Sequence, residues 1–336
     1  MNYQNRKIVL KRRPLGFPKL ADFDMIYESI TEINYGEVIV KILWLSLDPY
    51  MRGRMSEARS YADPIKIGSV ITGGAVGKVI LSKCPNYKEG DIIEGFTLGW
   101  QEYVQISTNK IRKVDTSLAP IQTALGVLGM PGMTAYFGLF EICRPIPGDF
   151  VVVSAASGAV GQLVGQLAKI AGCKVIGIAG HDQKCKYIKE TLKFDAVINY
   201  KTENVYKKVK EFCPRGVNIY FDNVGGKISD DVISNIAQFG RIGVCGVISQ
   251  YNLREMETGM RVQRAVLTNQ ASVEGFLVFR FEQKYNIARR KMADWLKSEK
   301  LIWKEDIVNG LENAPSAFIG LMQGKNFGKL LIKVSV

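Results

Sequence analysis

Residues 150–172 read FVVVSAASGAVGQLVGQLAKIAG. An apolar run suited to a buried strand passes through a turn of small residues into the spacing of an amphipathic helix. Ala156, Gly158 and Gly161 stand in a G-x-G-x-x-G pattern with alanine in first place. At Gly158 the backbone can approach a pyrophosphate, and at Gly161 the helix can close on the strand. The first helical turn adds N–H donors and a partial positive charge. The stretch therefore predicts a dinucleotide turn made of Ala156, Ser157, Gly158, Ala159, Val160 and Gly161. The bland alternative is an ordinary tight strand–helix turn.

The flanks agree with the dinucleotide reading. Downstream, strands expected at 174–179, 196–199, 217–221 and 240–247 alternate with helices at 182–194, 203–212 and 227–238. Such alternation predicts an α/β, doubly wound parallel sheet. Upstream, short Val-, Ile- and aromatic-rich runs at 38–47, 69–81, 91–95 and 101–106 are separated by Gly, Pro and Asn turns. Gly68, Gly73, Gly74 and Gly77 suit a bent, barrel-like sheet. A last strand at 327–336 is expected to rejoin this first half. The domains are accordingly set at 1–126 with 297–336, and at 127–296.

Composition narrows the function classes. The chain has 336 residues, 47% hydrophobic and 23% charged, a balance for packed globular domains rather than disorder. No run of eighteen apolar residues predicts a membrane span, and MNYQNRKIVLKRRP at the N-terminus lacks the core of a secretory signal. The expected compartment is the cytoplasm. Lys and Arg number 45 against 32 Asp and Glu, a net +13 that points to anionic ligands. The charge is spread along the chain, so a dedicated nucleic-acid module is not expected. Clusters 11–13 and 289–291 read as solvated faces. Six cysteines, at 84, 143, 173, 185, 213 and 245, form no C-x-x-C pair, and His181 is the sole histidine. No metal site is predicted. A hydrolase built on a Ser–His or Cys–His pair would have to use His181.

The choice of dinucleotide rests on the tip of the strand at 174–179. NAD sites usually carry an acid there for the ribose 2′-hydroxyl. Here Gly180 and His181 follow, with Asp182 later and Lys184 after it. The missing acid and the added cation favour NADP(H), although Lys184 is also a plausible solvated lysine.

A wider set of motifs carries a resemblance. LSLDPYMR (45–52), GMPGMTAY (129–136), AASGAVG (155–161), FDNVGG (221–226), QYN (250–252), EGF (274–276) and GKNFGK (324–329) occur in order along nearly the whole chain. Together they resemble the zinc-independent medium-chain dehydrogenase/reductases, in the leukotriene B4 12-hydroxydehydrogenase, prostaglandin reductase and alkenal double-bond reductase group. The resemblance implies a GroES-like β-barrel domain and a Rossmann domain with the active site between them. It also implies NADPH-dependent reduction of the carbon–carbon double bond of α,β-unsaturated aldehydes and ketones, and a homodimer. By the same resemblance Lys184 and Tyr200 meet the 2′-phosphate, with Gly180 beside them. Met130, Thr134 and Asn326 line the nicotinamide, and the backbone at Phe276 and Leu277 holds its carboxamide. Tyr50 and Tyr251 flank the substrate. His181 replaces a residue that is more often small and polar in the family. Asn223 ends a strand whose tip faces the ligand crevice in this fold type.

The chemistry asks little of the side chains. Hydride reaches the β-carbon of an enone, and negative charge grows on the carbonyl oxygen. A neutral donor suffices there, with Tyr251 or a ribose hydroxyl as the candidates. The α-carbon proton comes from solvent or a tyrosine. Bland alternatives stand beside each role. Tyr50 packs a wall, Tyr251 caps a loop, Met130 fills core, Arg52 makes a structural ion pair, and Asp222 holds a turn. Two other functions remain open: an NADPH-dependent quinone oxidoreductase, and a cofactor-holding RNA-binding protein.

Overall fold

The structure, a computed structural model, describes residues 3–335. Met1, Asn2 and Val336 lie outside the described residues, including the last residue of the strand expected at 327–336. The chain divides into two compact units, Met1–Leu125 with Glu305–Val336, and Gly126–Lys304.

In the first unit, strand Glu37–Ser46 is the hub. It pairs antiparallel with Ala75–Ser82, Tyr103–Ser107 and Lys329–Lys333. The C-terminal strand thus joins the first half of the chain. The sheet continues through Ile92–Gly95 to Arg112–Lys113 on one side, and through Lys329–Lys333 to Glu305–Asn309 on the other. Only the last pair is parallel, so the sheet is mixed. Register shifts at Ile39/Val40 and Ile42/Trp44 bend the hub strand. Gly77 crosses it there: a Cβ would sit 2.4 Å from Val40 Cγ1 and 2.5 Å from the Lys41 carbonyl oxygen. This is the barrel-like half that the glycine pattern suggests.

Two expectations for this unit change. The strand expected over 69–81 begins at Ala75, and before it only Val70 makes an isolated bridge, to Val9. Gly73 passes too close to neighbours for ordinary strand packing; its Cβ would lie 2.8 Å from Met51 Cε. The antiparallel ribbon of Tyr3–Leu10 with Phe23–Ile30 went unpredicted. Its second strand is largely exposed, so no clean apolar alternation marks it.

The second unit holds six parallel strands: β1 (Phe150–Val153), β2 (Lys174–Ala179), β3 (Ala196–Asn199), β4 (Val217–Asp222), β5 (Ile236–Val244) and β6 (Ser272–Gly275). Their spatial order is 3-2-1-4-5-6, that of a dinucleotide-binding doubly wound sheet. Val152, Ile176, Ile198, Tyr220 and Ile242 form one apolar layer with Val205, Val209, Val232 and Ile233 of the helices Val205–Phe212 and Gly226–Ile233. The helix Met130–Phe137 packs instead with Gly161–Ile170 and Tyr285–Lys297. Strands covered in this way read as continuous apolar runs, which is why β1 is legible as FVVV.

Here too the boundaries shift. The helix expected at 227–238 ends at Ile233, and β5 starts at Ile236 rather than 240. Val217 N–H bonds the Asn235 carbonyl, which starts the pairing early. Phe239, at φ 60°, then kinks the strand where its register with β4 shifts. The helix expected at 182–194 is a short α-turn, Asp182–Lys186, that widens into a π-turn, Tyr187–Thr191. Residues 297–304, assigned from sequence to the first domain, cluster with the second unit. Gln166 bonds both the carbonyl and the N–H of Ile302, and Gln162 bonds those of Lys304.

Candidate active site

The phosphate-type turn forms at the carboxyl end of β1. Ala155 takes φ 49°, and Ala156 N–H bonds the Ile178 carbonyl at 3.0 Å, which stitches the turn to β2. Ala156 and Ser157 are buried, whereas Gly158, Ala159 and Val160 are half-exposed along the mouth of the turn. A Cβ on Gly161 would lie 2.3 Å from the Ala155 carbonyl oxygen. No larger residue fits there without moving backbone, and the helix Gly161–Ile170 starts directly on the turn, with Gln162 N–H bonding the Gly158 carbonyl at 3.1 Å. That cradle fits the pyrophosphate of a dinucleotide.

Beside it, β2 ends at Ala179. Tyr200 N–H bonds the Ala179 carbonyl at 3.0 Å. The Tyr200 ring lies across Gly180, where a Cβ would come within 2.6 Å of it. Gly180 and Tyr200 are thus brought together, and Lys184, half-buried, lies in the short helix leaving the same tip. His181 caps that helix, its Nδ1 accepting from Gln183 N–H at 3.3 Å.

At the ends of β4 and β5 a polar knot sets the backbone. The Asp222 carboxylate accepts from Tyr220 Oη at 2.8 Å and from the N–H groups of Val224 and Gly225 at 2.9 Å, as well as from Ser154 Oγ. Asp222 therefore holds the turn. Asn223 is pinned to Ser154 twice, through its own N–H and its side-chain amide. Tyr251, half-buried, reaches back to the same place. A Cβ at Gly246 would be 3.5 Å from the Asn223 carbonyl oxygen and 3.6 Å from Tyr251 Oη. Burial raises the Tyr251 phenol above its ordinary value, with the nearby Cys245 adding to the shift, so the hydroxyl keeps its proton at neutral pH.

The remaining coenzyme candidates of this unit are less exposed to a ligand by their side chains. Thr134 Oγ donates to the Met130 carbonyl at 2.8 Å, one helical turn back, and both residues are half-buried. The Phe276 ring is core, edge-on to Phe221 at 6.1 Å, so only its backbone is available to a ligand. Leu277 is exposed.

In the first unit, Tyr50 opens the short helix Tyr50–Arg54. Burial and the Asp48 carboxylate push its phenol well above the ordinary range. Asp48 is itself buried against Lys329, whose Nζ lies 2.8 Å from one carboxylate oxygen and 3.0 Å from the Leu47 carbonyl. Ser46 Oγ donates to the other oxygen. This junction ties LSLDPYMR to GKNFGK, and motif reading did not predict it. Asn326 donates to the Gly328 carbonyl at 2.9 Å. Arg52 is buried and donates to the carbonyls of Pro14 and Gly16, a structural use.

The comparisons with known proteins converge. A family described as the N-terminal domain of oxidoreductase matches residues 6–114, and one described as zinc-binding dehydrogenase matches 159–296. A 2-alkenal reductase (NADP(+)-dependent) of Nicotiana tabacum is 43% identical, covering 98% of each chain. The chain belongs to the zinc-independent medium-chain dehydrogenase/reductases. An NADPH-dependent curcumin reductase of Escherichia coli is 40% identical over 99% of this chain and 97% of its own. The crystal structure of CurA from Vibrio vulnificus in complex with NADPH superposes with TM-score 0.93 at 41% identity, covering 98% of this chain and 99% of that one. Zinc does not fit the donors of this member. Among the described residues no three His, Cys, Asp or Glu side chains gather to hold a metal ion, and no step below is derived through one.

The basic clusters are partly committed to pairs. Lys11 pairs with Asp24, Arg12 with Asp22 and Arg13 with Glu57. Arg289 is buried against the Leu128 carbonyl and Asn286. Arg290 and Lys291 stay exposed, so each cluster is a short, partly paired group rather than a concentrated basic face.

Proposed function

We propose that this chain uses NADPH to reduce the carbon–carbon double bond of α,β-unsaturated aldehydes and ketones. One observation carries the reading: the Tyr251 hydroxyl reaches the Gly246 and Asn223 backbone beyond the carboxyl ends of β4 and β5 of a dinucleotide-type sheet, in a chain whose full-length relatives are named for 2-alkenal and curcumin reduction.

The roles follow from placement. The turn at 156–161 receives the pyrophosphate on the backbone N–H groups of Ala159, Val160 and Gly161, those of Ala156 and Gly158 being bonded to the Ile178 and Ala155 carbonyls. Lys184 and Tyr200 take the 2′-phosphate beside Gly180, the first by charge and the second by its hydroxyl, on a side chain that is partly exposed. Met130, Thr134 and Asn223, with the backbone at Phe276 and Leu277, orient the nicotinamide. Bound NADPH supplies hydride from C4 of that ring. Tyr251 donates a hydrogen bond to the substrate carbonyl oxygen as negative charge builds there, and its raised phenol stays a donor across neutral pH.

We also propose a homodimer and a cytoplasmic location. Strand β6 pairs only with β5 and is mostly exposed, with Val273 46% accessible. Leu267 and Phe279 are exposed in the segments on either side of it. An open edge of this kind is suited to two-fold strand pairing. All six cysteines are free thiols, in keeping with a reducing compartment. Among the described residues no helix is long and apolar enough to cross a membrane.

The test is an NADPH-oxidation screen over a short 2-alkenal, a long-chain enone and a benzoquinone. Turnover of the alkenal or enone well above that of the quinone is expected. Preference for the quinone transfers the function to the quinone-oxidoreductase reading.

A further inference from the structure

The rim that receives the far end of the dinucleotide carries two carboxylates, and a single residue engages both. Asn199 is the last residue of β3 and is buried. Its side-chain amide donates to Asp182 Oδ1 at 2.7 Å. Its backbone N–H donates to Glu203 Oε2 at 2.8 Å. The amide orientation is set by a further partner, because Asn199 Oδ1 accepts from Lys201 N–H at 3.2 Å. The Asn199 carbonyl closes the turn by accepting from the N–H groups of Thr202 and Glu203. This side chain is therefore fixed at both ends.

Asp182 is the first carboxylate after β2, two residues beyond Gly180 and two before Lys184. A loose carboxylate there does two things. It accepts from a ribose 2′-hydroxyl, and it repels a 2′-phosphate. A carboxylate committed to that amide keeps its charge but cannot turn to the ribose hydroxyl or swing toward a 2′-phosphate, because leaving the amide strands a donor.

We propose that Asn199 is a positioning residue for coenzyme choice: it ties the Asp182 carboxylate to the tip of β3, so that this charge is held to the strand and kept from swinging toward a 2′-phosphate on Lys184 and Tyr200. The inference rests on the NADPH reading above and adds to it the residue that restrains an otherwise misplaced acid. Asn199 makes no contact with coenzyme in this scheme. It acts through Asp182.

The experiment measures dissociation constants for NADPH and NADH on the full-length protein by titration calorimetry, with no turnover involved. In Asn199→Ala the NADPH-over-NADH preference is expected to fall about tenfold, mostly through weaker NADPH, the effect of one like charge freed near a partly solvated phosphate. Adding Asp182→Asn to that variant restores the preference. That rescue separates the proposal from a merely structural role, since a turn loosened at Lys201 and Tyr200 is not repaired by neutralising Asp182. Asp182→Asn alone leaves the preference within about twofold, because the acid is already held; this second variant reads the proposal even if Asn199→Ala folds poorly. An unchanged preference in Asn199→Ala, a failed rescue, or a tenfold gain from Asp182→Asn alone each overturns it. A wild type that binds neither coenzyme overturns the proposed function itself, and this inference with it.

Discussion

The turn at 154–161 and the junction of Asp48 with Lys329 place functional residues in opposite ways. The turn is local. Eight consecutive residues, a left-handed Ala155 and a glycine that tolerates no Cβ shape a backbone cradle, and its partners come from adjacent strands. The junction is non-local. It joins side chains 281 residues apart in a pocket where Lys329 is 2% exposed and Asp48 5%. The cradle depends on what is absent, side-chain volume, and the junction on what is present, a matched pair of charges. Local backbone shape survives modest substitution by shifting. A buried charge left alone has no such recourse.

That contrast orders the expected effects. Lys329→Met leaves Asp48 buried without its cation and is expected to cost about 3–5 kcal/mol of stability. Denaturant unfolding checks this, and Asp48→Asn in the same chain should recover part of the loss. If Lys329→Met unfolds like the parent, the junction is not a structural device and the contrast fails.

Tyr251→Phe tests the second unit at its other end. Loss of one donor to a developing oxyanion is expected to slow kcat on an enone by about 10²-fold, near 3 kcal/mol, with little change in KM. The sign with pH follows from burial. The raised phenol retains its proton through the ordinary tyrosine range near pH 10, so kcat should show no alkaline fall below that point. Full activity in the phenylalanine variant removes the donor role.

Gly161→Ala probes the cradle directly. A methyl forced within 2.3 Å of the Ala155 carbonyl oxygen is expected to cost about 1–3 kcal/mol. The thermal shift on adding NADPH should shrink with it. A neutral result means that the turn adjusts freely, which would sharpen the contrast with the rigid ion pair. The smallest effect is expected from Lys184→Ala. It removes one partly solvated cation, so the NADPH-over-NADH preference should fall about tenfold, or roughly 1.4 kcal/mol, in the ratio of kcat/KM values. An unaltered ratio would leave the 2′-phosphate to other groups.

Legibility in the sequence follows the same division. FVVV at 150–153 and the A-x-G-x-x-G spacing specified strand, turn and helix, because sterics and periodicity act within a few residues. Lys184, Tyr200 and Gly180 were named from pattern and resemblance, and the ring of Tyr200 does lie across Gly180. Asn199 was passed over. A polar residue at a strand tip carries no signature until the fold brings Asp182 within 2.7 Å. The strand β6 and the ribbon Tyr3–Leu10 with Phe23–Ile30 were missed for a related reason: exposed strands lack the apolar alternation that betrays a buried one.

From the residue order alone came the alternating strand–helix half, its phosphate turn, the family and the coenzyme class, since each depends on spacing along the chain. Only the folded molecule decided that Asp222 holds a turn, that Asp48 faces Lys329, and that Asp182 is bound to Asn199. Those are pairings across sequence distance, and which partner a buried charge or amide meets is settled by packing, after backbone topology has brought the candidates together.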